Sequence, residues 1–180
     1  MGTAKAQLTL KGSTLLARVL AAGAESGIAN WLVVGGEEPW VTPSPLARST
    51  RWLADAYPGA GPLGGVVTAL EEVSTQWLLV LSCDLVGVDP SALQTLMAHA
   101  DDTVDAVVPR GARLDVLHAL YRTDAIRPIE SRFSAGERRM HSLVDGIRVR
   151  ELPLAEHRLL ARSTRDVDTP DEFSAVAAEE

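Results

Sequence analysis

WLLVLSCDLVGVDP, Trp77 to Pro90, decides the fold. Trp77 to Leu81 is an unbroken apolar run, followed by Ser82, Cys83 and the carboxylate of Asp84. A run without polar alternation suits a strand covered on both faces, as parallel sheets require. In open α/β sheets, ligands bind beyond the carboxyl ends of the strands. Asp84 falls at such an end, so the strand reads as scaffold and the acid as a group presented at the mouth of the sheet. A little further on, Asp89 and Pro90 read as the N-cap and first residue of a helix.

Upstream, Ser13 to Ser26 puts Leu15, Leu16, Val19 and Leu20 on one face and stops at Gly27, which predicts an amphipathic helix. Trp31–Val34 and Arg51–Ala54 read as short strands, and a helix opens at Pro62 or Leu63 and runs to about Ser74. Downstream, Val104–Val108, Val116–Tyr121 and Ile147–Leu152 read as strands, and Asp124–Ser134 and Arg138–Asp145 as helices. Thr169-Pro-Asp-Glu172 is a capping box, which leaves Asp168 just ahead of a helix. This alternation predicts an α/β fold, Rossmann-like, with a mostly parallel sheet and helices on both faces. No shift in composition marks a boundary, so residues 1–180 read as a single domain.

The charge balance is acidic: 24 acids against 17 bases give −7. That argues against non-specific binding to nucleic acid or to a membrane. One cysteine permits no internal disulfide, and the expected setting is a reducing cytoplasm. No apolar stretch approaches the length of a membrane span.

GAGPLG, Gly59 to Gly64, matches G-x-G-x-x-G, and Asp84 follows 20 residues after its last glycine. That is the spacing of a dinucleotide fingerprint and opens an oxidoreductase reading. Pro58 and the short, polar strand before it argue against this reading, and a tight turn without ligand is the plain alternative. Either way, backbone N–H groups at a helix start can approach phosphates. Asp84 and Asp168 both sit at strand ends, where one or two carboxylates plus substrate phosphates would hold Mg²⁺. The alternative for Asp168 is an acid that merely favours a helix start. His118 reads as core, and Cys83 as a buried small residue. Arg138 and Arg139, in AGERRM, read as a solvated turn or an anion clamp.

MGTAKAQLTLKG, DAYPGAGPLGG, WLLVLSCD, AGERRM and DVDTPDEF occur in one order. Their set resembles the molybdenum cofactor guanylyltransferases over nearly the whole chain. The resemblance implies a nucleotidyltransferase fold that transfers GMP from GTP to the phosphate of molybdopterin, with or without molybdenum, and releases diphosphate. It implies that Lys5 neutralises GTP phosphates. Asp55 and the loop with Gly59, Gly61, Pro62, Leu63 and Gly64 would hold the guanosine part. Asp84 would bind Mg²⁺, with Asp168 completing that site, and Arg138 and Arg139 would meet the pterin substrate. Molybdoenzyme chaperones or other cofactor-biosynthesis proteins are the implied macromolecular partners. Cytidylyl transfer to the same cofactor, or a partner domain with weak catalysis, stay open beside it. Asp168 stands where guanylyl members commonly have asparagine. The family begins with a strand and a glycine-rich loop that would precede Met1. The expectation is therefore an internal methionine of a longer protein, with strands beside the absent one exposing backbone and apolar surface.

Overall fold

The computed structural model describes residues 5–36, 49–167 and 169–179. A small antiparallel ribbon, β1 (Thr9–Leu10) and β2 (Ser13–Thr14), leads into helix α1 (Leu15–Glu25). The Thr14 hydroxyl caps α1 by accepting from the Ala17 N–H at 3.2 Å. At the other end Gly27 N–H donates to Ala24 and Ile28 N–H to Gly23, which satisfies two last-turn carbonyls. Leu15, Leu16, Val19 and Leu20 form the buried face, as the periodicity predicts.

Two sheets follow. β3 (Trp31–Val34) and β4 (Thr50–Leu53) pair in parallel. The larger sheet has the order β5-β7-β6-β8, from β5 (Trp77–Leu81), β6 (Ala106–Arg110), β7 (His118–Arg122) and β8 (Val149–Pro153). β7 runs antiparallel to both β5 and β6, while β6 and β8 are parallel. Three of its four strands therefore share a direction, and their carboxyl ends form one rim. The reversed strand follows from the chain between Arg110 and His118, which is too short for the crossover that a parallel connection needs.

The helices are α2 (Pro62–Glu72), α3 (Pro90–Ala98), α4 (Thr123–Ile126), α5 (Ile129–Ser134), α6 (Arg158–Ser163) and α7 (Pro170–Glu179). α2 and α5 pack with Tyr121, Val108 and Ala119 in one core cluster. α3 and α6 pack with Val107, Leu120 and Leu152 in another. The sheet is thus covered on both faces. Three expectations need correction. The helix expected over 124–134 is two short helices divided at Pro128, whose ring and missing N–H break the hydrogen-bond ladder. The helix expected over 138–145 is a 3₁₀ turn, Met140–Val144. The apolar β5 is half-exposed along its whole length, unlike the buried β6 and β7.

The cause of that last difference is a cavity of about 980 Å³ between β3 and β5, with α1 and α2 as its other walls. Leu32, Val33 and Val34 line one side and Leu78 to Leu81 the other. Among the described residues, β3 pairs only with β4 and β5 only with β7.

Candidate active site

The carboxyl end of β5 turns at once. Ser82 N–H donates to the Leu117 carbonyl, Val86 N–H to the Arg165 carbonyl, and Leu85 bridges to Asp166. Arg18 of α1 reaches across to the Val86 carbonyl at 3.3 Å. These bonds fix Asp84 at the rim, with its side chain only 13% exposed. One carboxylate oxygen accepts from the Ser82 hydroxyl. The other lies 3.1 Å from the Lys5 ammonium. Lys5 sits in a single 3₁₀ turn, Lys5–Gln7, anchored through buried Ala6. The structure thus joins two residues 79 positions apart that the sequence proposes as partners in one site.

The glycine-rich loop opens α2. Gly61 is the N-cap at φ 76°, ψ −170°, a conformation open essentially to glycine alone. Pro62 follows at the first helical position. A Cβ on Gly64 would stand 3.1 Å from Ala60 Cβ and 3.3 Å from the Tyr57 carbonyl, so the loop closes tightly on the helix. Asp55 accepts from the Tyr57 N–H at 2.9 Å, which shapes the approach to Gly59. Asp55 also packs near Gly35, at the carboxyl end of β3. Leu63 and Gly64 are buried at the helix start.

Arg138 and Arg139 are engaged within their own turn. Arg138 donates to the carbonyls of Phe133 (2.7 Å) and Glu137 (2.6 Å), and its guanidinium lies 4.1 Å over the Phe133 ring. Arg139 binds Glu137 through two nitrogens at 3.1 and 2.7 Å. Those hydrogen bonds from the Arg139 side chain hold the Glu137 carboxyl down at about 2. An anion reaching this turn competes with Glu137 for Arg139.

His118 is core, as expected, at 0% exposure. Burial pushes its imidazole down to about 4. Its Nε2 is 3.3 Å from the Ser163 hydroxyl, which accepts from the Asp89 N–H, and its Nδ1 is buried without a partner among the described residues. Asp115, just before β7, is raised to about 6 by burial, partly countered by the Leu117 N–H and reinforced by Asp166. Cys83 is exposed at the cavity mouth, not buried, because β5 has already ended at Leu81.

Asp168 lies outside the described residues. Among the described residues, no group of three or more His, Cys, Asp or Glu is placed to hold a metal. The donors at Asp84 are a carboxylate and a hydroxyl, hard oxygens suited to a cation that completes its shell with substrate oxygens and water. Sequence reasoning overlooked Ser82, whose signal is its position two residues before the acid on the same strand end. It also overlooked Asp166, two residues before Asp168.

A mixed sheet with three of its four strands in one direction, not the mostly parallel sheet expected, carries a lysine–aspartate pair at its carboxyl rim and defines, with the glycine-rich helix start, a nucleotidyltransferase-type α/β protein. Residues 1–162 match the family model described as the MobA-like NTP transferase domain, and the chain belongs to that family. It is 33% identical over 135 residues to a probable molybdenum cofactor guanylyltransferase of Chloroflexus aggregans, covering 71% of this chain and 64% of that protein. A protein of the same description from Opitutus terrae is 29% identical over 177 residues, covering 93% and 86%. The chain therefore spans just under two thirds of the first relative's length and more of the second's. Among solved structures, the molybdopterin-guanine dinucleotide biosynthesis protein A of Archaeoglobus fulgidus superposes with a TM-score of 0.74 at 21% identity, covering 99% of this chain and 91% of that one. No helix among the described residues is long and apolar enough to cross a membrane.

Proposed function

We propose that the chain transfers GMP from GTP to the phosphate of molybdopterin, free or carrying molybdenum, and releases diphosphate. The observation that carries this reading is the Lys5–Asp84 pair at the carboxyl end of β5, 3.1 Å apart. An oxygen of the acceptor phosphate attacks the α-phosphorus of GTP. A new oxygen–phosphorus bond forms, the bond to the β-phosphate bridge breaks, and its electron pair leaves on diphosphate. Such a transfer asks the protein for in-line positioning and for cancellation of charge, not for an activated serine or cysteine.

In this reading Asp84 holds Mg²⁺ with the Ser82 hydroxyl beside it, and Asp168 contributes a second carboxylate. The bound ion would supply charge neutralisation at the α-phosphate. Lys5 then exchanges Asp84 for the triphosphate, a short move for a flexible side chain that is one third exposed. Asp55 and residues 59–65 hold the guanosine, with backbone N–H groups at the α2 start facing phosphate. Arg138 and Arg139 trade their internal contacts for the acceptor. The setting is the cytoplasm.

Asp84→Asn tests the reading. It keeps shape and the Ser82 contact but removes the charge. Metal-dependent diphosphate release should fall at least about 100-fold while the melting temperature holds. Undiminished release would remove Asp84 from the metal site and the reading with it. A thermal-shift titration with GTP and CTP, each with Mg²⁺, decides the nucleotide: stabilisation by CTP alone redirects the assignment to cytidylyl transfer.

A further inference from the structure

A second, smaller cavity lies on the same rim. It measures about 380 Å³ and is lined by Arg110, Ala112, Arg113, Leu114 and His141. Ligand pockets begin at roughly 300 Å³, so this one suits a single small group. The turn beneath it is closed by its own bonds: Gly111 N–H donates to the Arg113 carbonyl at 3.0 Å, Asp115 N–H to the Pro109 carbonyl at 2.9 Å, and Arg110 bridges to Leu114. The backbone that carries Arg113 is therefore set before any ligand arrives.

The charges around it are unequally matched. Of the arginines at this end of the sheet, Arg110 and Arg139 are each paired with a carboxylate. Glu151 takes Arg110 through two bonds, at 2.8 and 2.6 Å, and is thereby spent. Arg113 has no such partner among the described residues, although its guanidinium is permanently charged and offers a planar fork. His141, two residues beyond Arg139, also lines the cavity, and both it and Arg113 are exposed.

We propose that Arg113 and His141 form an oxyanion seat that takes the phosphate monoester of the acceptor. The identity of the acceptor rests on the guanylyl-transfer reading; the seat itself rests on the cavity. Its position fits that task. β5 and β6 are two strand spacings apart, roughly 10 Å. A phosphate in the seat would thus lie two strands from Asp84 on the same rim, across the mouth of the sheet.

The test follows the arginine Nε–H and histidine ring signals of the whole chain by NMR during titration with inorganic phosphate, at constant ionic strength set by chloride. Saturable shifts at Arg113 and His141 are expected, lost in Arg113→Gln and partly kept in Arg113→Lys. In turnover, Arg113→Gln should raise KM for the acceptor on the order of 10-fold or more, the size of a lost charged hydrogen bond, and leave GTP-induced stabilisation unchanged. No saturable shift at Arg113, or the same His141 shift in Arg113→Gln, would overturn the seat. So would a loss of GTP binding in place of acceptor binding. Failure of the Asp84→Asn test removes the acceptor's name but leaves the phosphate titration to decide the seat.

Discussion

Around β6 and β7 the molecule is closed; around β3 and β5 it is open. Val107, Val108, Ala119 and Tyr121 are at 0% exposure, with a strand on either side and helices above and below. Val33 and Val80, equally apolar, are half-exposed beside a cavity of about 980 Å³. Composition does not separate the two regions, because Trp31–Val34 and Trp77–Leu81 are as hydrophobic as β6. The difference is in neighbours. A strand with a partner on one side only leaves backbone donors and apolar side chains that no packing covers. The candidate site spans the contrast: Lys5 and the glycine loop border the open half, Asp84 ends the shared strand β5, and Arg113 belongs to the closed half.

Hydrogen exchange is the severest test of that contrast. Amides of β7, paired on both sides by β5 and β6, should exchange only through global opening. Along β5 every second amide points away from β7 and should exchange orders of magnitude faster than its neighbours. Uniform protection along β5 would break the comparison, since it would require a partner on the cavity side.

Two leucines sharpen it at a smaller scale. Leu152 of β8 is 4% exposed within the cluster under α3 and α6. Leu152→Ala should cost about 2–5 kcal/mol in urea unfolding, because the surrounding atoms cannot close the space. Leu32 of β3 already borders the cavity, so Leu32→Ala should cost about 1 kcal/mol, the partial transfer term alone. Equal costs would mean that β3 is packed as tightly as β8.

How far these features were legible depended on the range of the signal. Asp89 accepting from Ser91 and Ala92, and Thr169 with Glu172 closing their reciprocal bonds, were readable because a cap is complete within four residues. The break at Pro128 had a visible cause that periodicity overrode, and α6 was too short at Arg158–Ser163 to show a period. The reversal of β7 had a local cause in the short length of residues 111–117, but the expectation of a mostly parallel sheet passed over it. The Lys5–Asp84 contact was not: no spacing rule spans 79 positions, and only resemblance to a family put the two residues in one site. The unpaired state of Arg113 was equally invisible, since it is defined by where the other arginines find their acids. β5 misled because an apolar run reports that a strand wants covering, not that it is covered.

The smallest effect concerns protons inside the closed half. Asp115 is raised by burial to about 6 from an ordinary 3.8, and His118 is lowered by burial to about 4 from 6.5. Between pH 6 and about 4.5 the folded chain gains a proton on Asp115 that the unfolded chain does not, so stability rises as pH falls. Over the same window the unfolded chain gains a proton on His118 that the folded chain refuses, so stability falls. The two slopes oppose each other, and the parent should vary little across this range. Asp101, Asp105 and Glu137, each held at about 2 chiefly by side-chain hydrogen bonds, withdraw stability only at lower pH, as the unfolded acids begin to take up protons. Asp115→Asn should expose the histidine alone, with urea midpoints dropping from pH 6.5 to 4.5. His118→Gln should expose the acid alone, with midpoints climbing over the same interval. Parallel profiles for the parent and both variants would mean that neither group is shielded from water. The closed half would then be less closed than its packing indicates, and its contrast with the open half would be one of contacts and not of solvent access.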